Sequence, residues 1–313
     1  MKNLEFVSHT PELLCGIFKQ EWENEKPNYH FLGAPLDISS TYRTGARHAP
    51  DYFRKILASD NFECVTETGI DLKQFYRIKD WGNVGTINTN IEKSLSLISE
   101  GVTDLIGFKL PFIIFGGDHS VTIGIGKAFE DSEISFYPIY IDAHLDLYSD
   151  VMETKFSHAC TLRRLSEMRG FQGATVLGYR DFTKDQLRYA DKKNITTISL
   201  NELVQHSDLY ELGFELAQNL AEEYGFLHIS VDIDILDPSF APGVGNPVAC
   251  GLSTRELIWL IRGLFQGVTK SKTVSWDIVE YNPLFDSSDI TAFAILKVLI
   301  EGLGGQISNM KSS

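Results

Sequence analysis

Three metal-capable side chains follow one short apolar segment of the chain. The residues 139–141 read as a buried strand, and Asp142, His144 and Asp146 come next at alternate positions. Because side chains alternate across a strand, this spacing puts all three on one side. A straight strand would still separate the outer two by about 13 Å. A compact site therefore requires the strand to end near Asp142 and the chain to curl after it; the alternative is a polar sheet edge without a ligand.

Other apolar segments end in residues of the same kinds. The additional candidates at such ends are His119, Asp232, Asp234 and Glu280. Functional sites of α/β proteins lie at the carboxyl ends of the strands, in open sheets and in barrels alike. Structural carboxylates would more often be scattered over solvated faces. The sequence therefore predicts one site built from several strand ends.

The candidate ligands are four aspartates and two histidines, with no thiolate. Oxygen and nitrogen donors of this kind favour Mn(II) and similar ions over structural zinc. Six ligand residues are too many for one catalytic ion with an open position, and they suit two ions about 3.5–4 Å apart. Two cations would also relieve the repulsion among the carboxylates and lower the pKa of a bridging water, giving hydroxide at neutral pH. We expect two Mn(II) ions per chain.

Strand-like and helix-like segments alternate along the chain. The strands are expected at 29–32, 75–80, 111–115, 139–141, 174–177, 195–200, 227–233 and 273–279. Helices are expected from about residue 51, at 90–106, 159–169, 184–192 and 210–224, from residues 253–256, and at 291–302. This alternation predicts an α/β fold with a largely parallel sheet, and periodicity alone leaves both an open sheet and a barrel possible. Nothing marks a boundary, so residues 1–313 are expected to form a single domain.

The bulk properties limit the partners and the compartment. The 313 residues carry a net charge of −14, which argues against nucleic acid and suits a small cationic substrate, although acidic proteins are also simply soluble. We expect no membrane partner, because no apolar run reaches about 18 residues and no signal peptide begins the chain. The four scattered cysteines indicate reduced thiols and a cytoplasmic location.

Three motifs resemble the signatures of the arginase/agmatinase ureohydrolases: Gly116-Gly117-Asp118-His119-Ser120, Asp142-Ala143-His144-Leu145-Asp146, and Ser230-Val231-Asp232-Ile233-Asp234 with Asp237-Pro238. The resemblance runs from Phe31 to Pro283. It implies a three-layer α/β/α arginase-like fold with an eight-stranded, mainly parallel sheet, and a homo-oligomer, either a trimer or a hexamer. It also implies one Mn(II) held by His119, Asp142, Asp146 and Asp232, and a second held by Asp142, His144, Asp232 and Asp234.

The same resemblance implies roles for three further side chains in hydrolysing a guanidinium group. Glu280 would hold the guanidinium by charge-assisted hydrogen bonds. Asp146, besides binding metal, would pass a proton from the attacking hydroxide to the leaving amine. His158 matches the family's exposed shuttle histidine and would also contact the substrate.

The loops near the ligands bear on which guanidine is cleaved. Arginases bind the substrate carboxylate partly through an Asn two residues after the third ligand of this motif, where this chain has Tyr148. The segment Ser157-His158-Ala159, followed by an arginine pair, is similar to the agmatinase branch, although Ala159-Cys160 and Tyr281 depart from it. Asp181 could bind an ammonium group of the substrate.

We therefore predict an agmatinase that yields urea and putrescine, a polyamine. The alternative substrates are guanidinobutyrate, arginine and formiminoglutamate. Two readings from other classes are a deacetylase-like amide hydrolase with a single zinc ion and a non-catalytic metal-binding protein.

Overall fold

The computed structural model describes residues 4–5, 13–22, 25–59, 62–268 and 274–307. Its strands are β1 Leu4–Glu5, β2 Phe18–Lys19, β3 Tyr29–Ala34, β4 Ile78–Val84, β5 Phe112–Gly116, β6 Tyr137–Ile141, β7 Ala174–Tyr179, β8 Ile195–Ser199, β9 Leu227–Asp232 and β10 Val274–Val279. Its helices are α1 Ala49–Leu57, α2 Ile91–Gly107, α3 Val121–Asp131, α4 Thr161–Leu165, α5 Lys184–Lys192, α6 Leu200–Leu203, α7 Leu209–Glu223, α8 Thr254–Gly267 and α9 Ile290–Ile307.

The strands form one open sheet in the order β1-β4-β3-β5-β10-β9-β6-β7-β8, with β2 also paired to β4. The eight strands from β3 to β10 pair only in parallel with one another, whereas the two-residue β1 is antiparallel. The prediction of an eight-stranded, mainly parallel sheet is confirmed, with two very short strands added beside β4. The linear order also excludes the barrel that the alternation had left open.

Helices cover both faces of this sheet. In β5 the side chains of Ile113 and Phe115 pack in one hydrophobic cluster, and those of Phe112 and Ile114 pack in a second. Residues of α1 and α6 to α9 belong to the first cluster and residues of α2 to α5 to the second. Burial on both faces explains why the strands are apolar runs without alternation. The chain therefore has the expected three α/β/α layers.

Helix α9 is long and apolar enough to span a membrane by length and composition. However, 78% of its 18 residues are buried inside the protein. It packs against α8, and its buried Glu301 is paired with Arg262 of that helix. These are the properties of a buried core helix in an α/β protein.

Several elements differ from the sequence-based expectation. Helix α6 was not expected, and α4 covers only part of the helix expected at 159–169. Helix α3 was not expected, because Gly124 and Gly126 weaken its helical pattern. Gly124 is needed there because a Cβ atom would lie 2.7 Å from the Ile98 side chain of α2. Strand β4 begins three residues later than expected, since 72–74 form a 3-10 turn capped by the Asp71 side chain.

The order of the central strands determines where the polar residues meet. Strands β5, β10, β9 and β6 are consecutive neighbours in the sheet and run in the same direction. Their carboxyl ends therefore form one continuous edge. The segments that leave this edge carry the predicted residues His119, Glu280, Asp232 and Asp142.

Candidate metal centre

The first group of candidate ligands surrounds one imidazole nitrogen. His119 Nδ1 lies 3.0 Å from Asp142 Oδ2, 3.1 Å from Asp146 Oδ2 and 3.1 Å from Asp232 Oδ2. All four residues are buried. The structure thus places together the four residues that the sequence assigned to one ion.

The second group adjoins the first through Asp142. His144 Nδ1 lies 3.0 Å from Asp234 Oδ2 and 3.5 Å from Asp142 Oδ1. Backbone amides orient these carboxylates: His144 N–H donates to Asp142 Oδ1 and Ala143 N–H donates to Asp234 Oδ1. Donor atoms of Asp142, His144 and Asp234 all lie within 4.8 Å of one another, as do those of His119, Asp142 and Asp146, so each set could hold an ion.

The expected curl of the chain after β6 is present. The strand ends at Ile141, and Asp146 has a φ of 51°, in the left-handed region that non-glycine residues seldom adopt. This turn brings Asp146 back to the same nitrogen of His119 that Asp142 faces. The geometric requirement for a compact cluster is therefore met.

The hydrogen bonds of His119 indicate what the first group can bind. Ser230 Oγ donates to Asp277 Oδ1 at 2.6 Å, so its oxygen accepts from His119 Nε2–H at 3.0 Å. In the neutral ring Nδ1 is then left with a lone pair that faces three carboxylates, and no donor among the described residues reaches it. A lone pair and three carboxylate oxygens repel one another unless a cation lies among them. The residues present therefore fit a divalent cation.

The titration of the carboxylates supports the same conclusion. Burial and the charge of Asp142 raise the pKa of Asp146 to about 6, and burial with neighbouring carboxylates raises the pKa of Asp232 well above its usual range. Burial also acts against ionisation of Asp142, but in the metal-free site the His119 and His144 rings, whose own pKa values are raised, hold the pKa of Asp142 below its usual value. Divalent cations would remove this conflict, because they favour every carboxylate in its ionised form.

Glu280 adjoins this cluster and has one free oxygen. The residue follows β10 with a φ of 65°. Its Oε1 accepts hydrogen bonds from His119 N–H at 2.8 Å and from His158 Nδ1 at 2.9 Å. Its Oε2 is buried, and none of the described residues donates a hydrogen bond to it. A Cβ atom at Gly245 would lie 2.7 Å from Oε2, so glycine leaves space beside the free oxygen.

His158 is buried, whereas the sequence resemblance had predicted an exposed histidine. The residue is 6% exposed, and Thr41 covers its Nε2 through the hydroxyl at 3.0 Å and the amide at 3.3 Å. Burial favours the neutral ring, but the charge and hydrogen bond of Glu280, with Asp118 beyond, raise the pKa of His158 to about 9. The expectation of exposure was wrong because residues 39–41, far away in sequence, fold over the ring.

Asp181 and Tyr148 lie at the outer part of the site. Asp181 is exposed, and its backbone pairs beside His144 through a hydrogen bond to Ala143 O at 3.1 Å. Within the described part of the chain its carboxylate makes no ion pair. Tyr148 is 41% exposed and follows the ligand Asp146. Neither side chain belongs to the buried clusters.

Several supporting residues were not identified from the sequence. Ser230 had a detectable signal, because it lies two positions before Asp232 on the same face of β9. Asp277 is the only charged residue of β10 and accepts hydrogen bonds from Thr122, His228 and Ser230. Thr41 had no such signal, since its contact with His158 joins residues 117 positions apart.

Comparisons with known proteins agree with this geometry. The family model described as "Arginase family" matches residues 27–304. An N(1)-aminopropylagmatine ureohydrolase of Thermococcus kodakarensis is 29% identical, over 88% of this chain and 90% of that protein. An agmatinase of Blochmanniella floridana is 29% identical, over 88% and 87%. The solved formimidoylglutamase of Bacillus subtilis superposes with a TM-score of 0.82 at 26% identity, over 96% and 94%. The chain belongs to the arginase family.

Proposed function

We propose that this arginase-family hydrolase cleaves agmatine with water to give urea and putrescine, using two Mn(II) ions. The observation that carries the proposal is the free, buried Oε2 of Glu280 beside the two ligand groups. A guanidinium group supplies the N–H donors that this oxygen lacks, and a charge-assisted bond of this kind is about twice as strong as a neutral one.

The residues of the site would have separate roles in metal binding, substrate orientation and proton transfer. His119, Asp142, Asp146 and Asp232 would hold one ion, and Asp142, His144, Asp232 and Asp234 the other. When bound, two divalent cations supply the Lewis acidity that makes water nucleophilic at neutral pH. Glu280 orients the guanidinium through Oε2 while His119 N–H and His158 fix its other oxygen. Asp146 accepts a proton from the attacking water and passes it to the leaving amine.

We assign His158 the supply of a further proton to the leaving amine. The hydrogen bond from Nδ1 to Glu280 Oε1 favours a protonated ring, which general acid catalysis requires. The ring is buried, so its proton must be exchanged through Thr41, whose hydroxyl lies 3.0 Å from Nε2 and accepts a hydrogen bond from Asn246.

The loops support a cationic substrate tail. Agmatine carries an ammonium group at the end opposite its guanidinium, and the unpaired carboxylate of Asp181 lies beside His144 at the outer part of the site. Tyr148 stands where arginases have an Asn for the substrate carboxylate. The net charge of −14 attracts a dication over long range.

One observation favours a second candidate, 4-guanidinobutyrate. The Arg43 guanidinium stacks on the rings of Tyr42 and Phe285 at 5.1 and 4.7 Å, and among the described residues it makes no ion pair. Its carbonyl accepts a hydrogen bond from Asn282, two positions after Glu280, so Arg43 is close to the site. A guanidinium in this position could bind a substrate carboxylate.

The test is a comparison of substrates on protein stripped with EDTA and reloaded with Mn(II). Urea release is measured from agmatine, 4-guanidinobutyrate and arginine, and formamide release from formiminoglutamate. We expect the highest kcat/KM with agmatine, and a raised KM for agmatine in Asp181→Asn but not in Arg43→Gln. A higher kcat/KM for guanidinobutyrate would overturn the substrate, and no product from any compound would overturn the enzyme assignment.

We also propose a homo-oligomer, a trimer or hexamer, in the cytoplasm. The oligomer rests on the family resemblance, and the compartment on four cysteines that form no disulfide. Light scattering of the purified protein tests the first, and a mass of one chain in solution would contradict it.

A further inference from the structure

We propose that Arg180 is a positioning residue that holds the segments bearing Asp142, His144 and Asp234 in their ligand geometry before a cation binds. Arg180 follows β7 and lies between the turn that carries Asp234 and the loop at residues 248–249. The proposal rests on the two-metal site of the proposed function and adds a residue to it that touches neither the substrate nor an ion.

Among the described residues, the guanidinium of Arg180 donates only to backbone carbonyls, on two different loops. On the turn that carries Asp234, Nη2 donates to the carbonyl of Asp234 at 2.8 Å and of Leu236 at 3.3 Å, and Nη1 to that of Ile235 at 3.1 Å. On the later loop, Nη2 donates to Val248 O at 2.7 Å and Nε to Ala249 O at 3.1 Å. One side chain therefore ties the Asp234 turn to a loop outside the ligand motifs.

The backbone of Arg180 reaches the other ligand segment. Its N–H donates at 2.8 Å to the carbonyl of Ala143, the residue between Asp142 and His144. Ala143 in turn donates its own N–H to Asp234 Oδ1 at 3.2 Å. Both halves of the His144 site thus converge on this one residue.

A bulge in β7 directs Arg180 to this position. The pairing of β7 with β8 shifts register between Leu177 and Tyr179, around Gly178 with a φ of 93°. A Cβ atom at Gly178 would lie 2.3 Å from Ile235 Cδ1, so the glycine also lets the Asp234 turn pack closely. Bulges of this kind are common beside active sites, where they re-aim side chains.

The planar fork of arginine is needed because the acceptors are numerous and spread over two loops. Arginine has five N–H donors in fixed directions, and lysine has three on a single atom. Arg180→Lys keeps the positive charge but leaves at least two of the five carbonyls without their donor. The substitution therefore tests hydrogen-bond geometry separately from charge.

The experiment measures stepwise Mn(II) binding to metal-free protein by calorimetry. The electron paramagnetic resonance signal of two coupled Mn(II) ions is a second readout. Outer hydrogen-bond partners of metal ligands contribute about 10- to 100-fold in affinity. We expect Arg180→Lys to lower the affinity for one of the two ions by that factor and to leave the affinity for the other near its wild-type value. At low Mn(II) the variant should also lose the paramagnetic resonance signal of two coupled ions.

Arg54→Lys is the matched control. Arg54 is also buried and also donates five hydrogen bonds, but to Pro50, Asp80, Gly82 and Asn83, away from the ligands. It should lose stability without losing affinity for either ion. Equal metal affinities in Arg180→Lys and Arg54→Lys would overturn the proposal.

Hydrogen exchange of the wild-type protein tests the same idea without a variant. If Arg180 orders the loops in advance, peptides covering 233–237 and 247–251 are already protected without metal and change little when Mn(II) is added. Protection that appears only with Mn(II) would overturn the proposal. A wild-type protein that binds fewer than two ions would overturn the two-metal site instead, and the exchange result would still decide the role of Arg180.

Discussion

The contact between His158 and Glu280 makes the stability of the metal-free protein depend on pH. His158 Nδ1 donates to Glu280 Oε1 at 2.9 Å, and both side chains are less than 10% exposed. The pKa of His158 rises from 6.5 to about 9, while the pKa of Glu280 stays below its usual value. Of these two residues, only His158 therefore titrates between about pH 6 and 10.

The sign and size of the effect follow from linkage. Because the folded protein binds the His158 proton more tightly than the unfolded chain, the stabilisation is fully present below pH 6.5 and is lost as the pH rises through about 9. The difference between these two pKa values, at about 1.4 kcal/mol per unit, corresponds to about 3 kcal/mol. Solvent screening is small because the pair is buried.

The assay is urea unfolding of EDTA-treated protein at several pH values from 6 to 9.5, for the wild type and His158→Asn. Asparagine keeps an N–H donor near the Nδ1 position but does not titrate. We expect the difference in unfolding free energy between the two proteins to shrink by about 2–3 kcal/mol across this range. The exposed His206, changed to Asn, is the control and should follow the wild type at every pH.

A constant difference between wild type and His158→Asn from pH 6 to 9.5 would refute the reasoning. It would mean that the folded and unfolded chains bind this proton equally, and that the ion pair with Glu280 does not form. Metal-free protein is essential, since cations beside Glu280 would oppose a positive charge on the ring.

Three further predictions concern the site. Mn(II) at a hundredfold excess over its Kd should raise the unfolding free energy by about 2.7 kcal/mol per site, measured by urea unfolding, and no change would contradict a site in the folded state. Glu280→Gln should lower kcat/KM for the guanidine by about 10- to 100-fold with metal content unchanged, as measured by steady-state kinetics and metal analysis. Gly245→Ala should also lower kcat/KM with both ions retained, because the added Cβ would crowd Glu280 Oε2; unchanged kinetics would show that substrate does not use this space.

The strands and ligands could be predicted because their signals are local. Each central strand is an apolar run that ends in a polar residue, and parallel strands align such ends along one edge. The spacing of Asp142, His144 and Asp146 even required the curl that the structure shows, with φ of 51° at Asp146. The sequence therefore predicted both the edge and the side chains that the structure brings together there.

The contacts around these ligands could not be predicted, because they join distant parts of the chain. His158 and Glu280 are separated by 122 positions, and the cover of Thr41 over His158 by 117. Arg180 donates to carbonyls, so its partners have no side-chain signature. Helix α3 was not predicted, because glycines required for its close packing on α2 weaken its helical pattern.

Under the proposed function, the two ends of the substrate would be recognised by different kinds of structure. The guanidinium end meets strand ends that are buried and held by hydrogen bonds, such as Glu280. The tail end meets side chains on loops, such as Asp181 and Arg43, that carry opposite charges and have no ion-pair partner in the described chain. A loop side chain without a partner can change charge at little cost to the fold, whereas a change at Glu280 leaves buried donors unsatisfied. In this proposal the sheet edge would fix the reaction, and the loop charges of Asp181 and Arg43 would select the substrate.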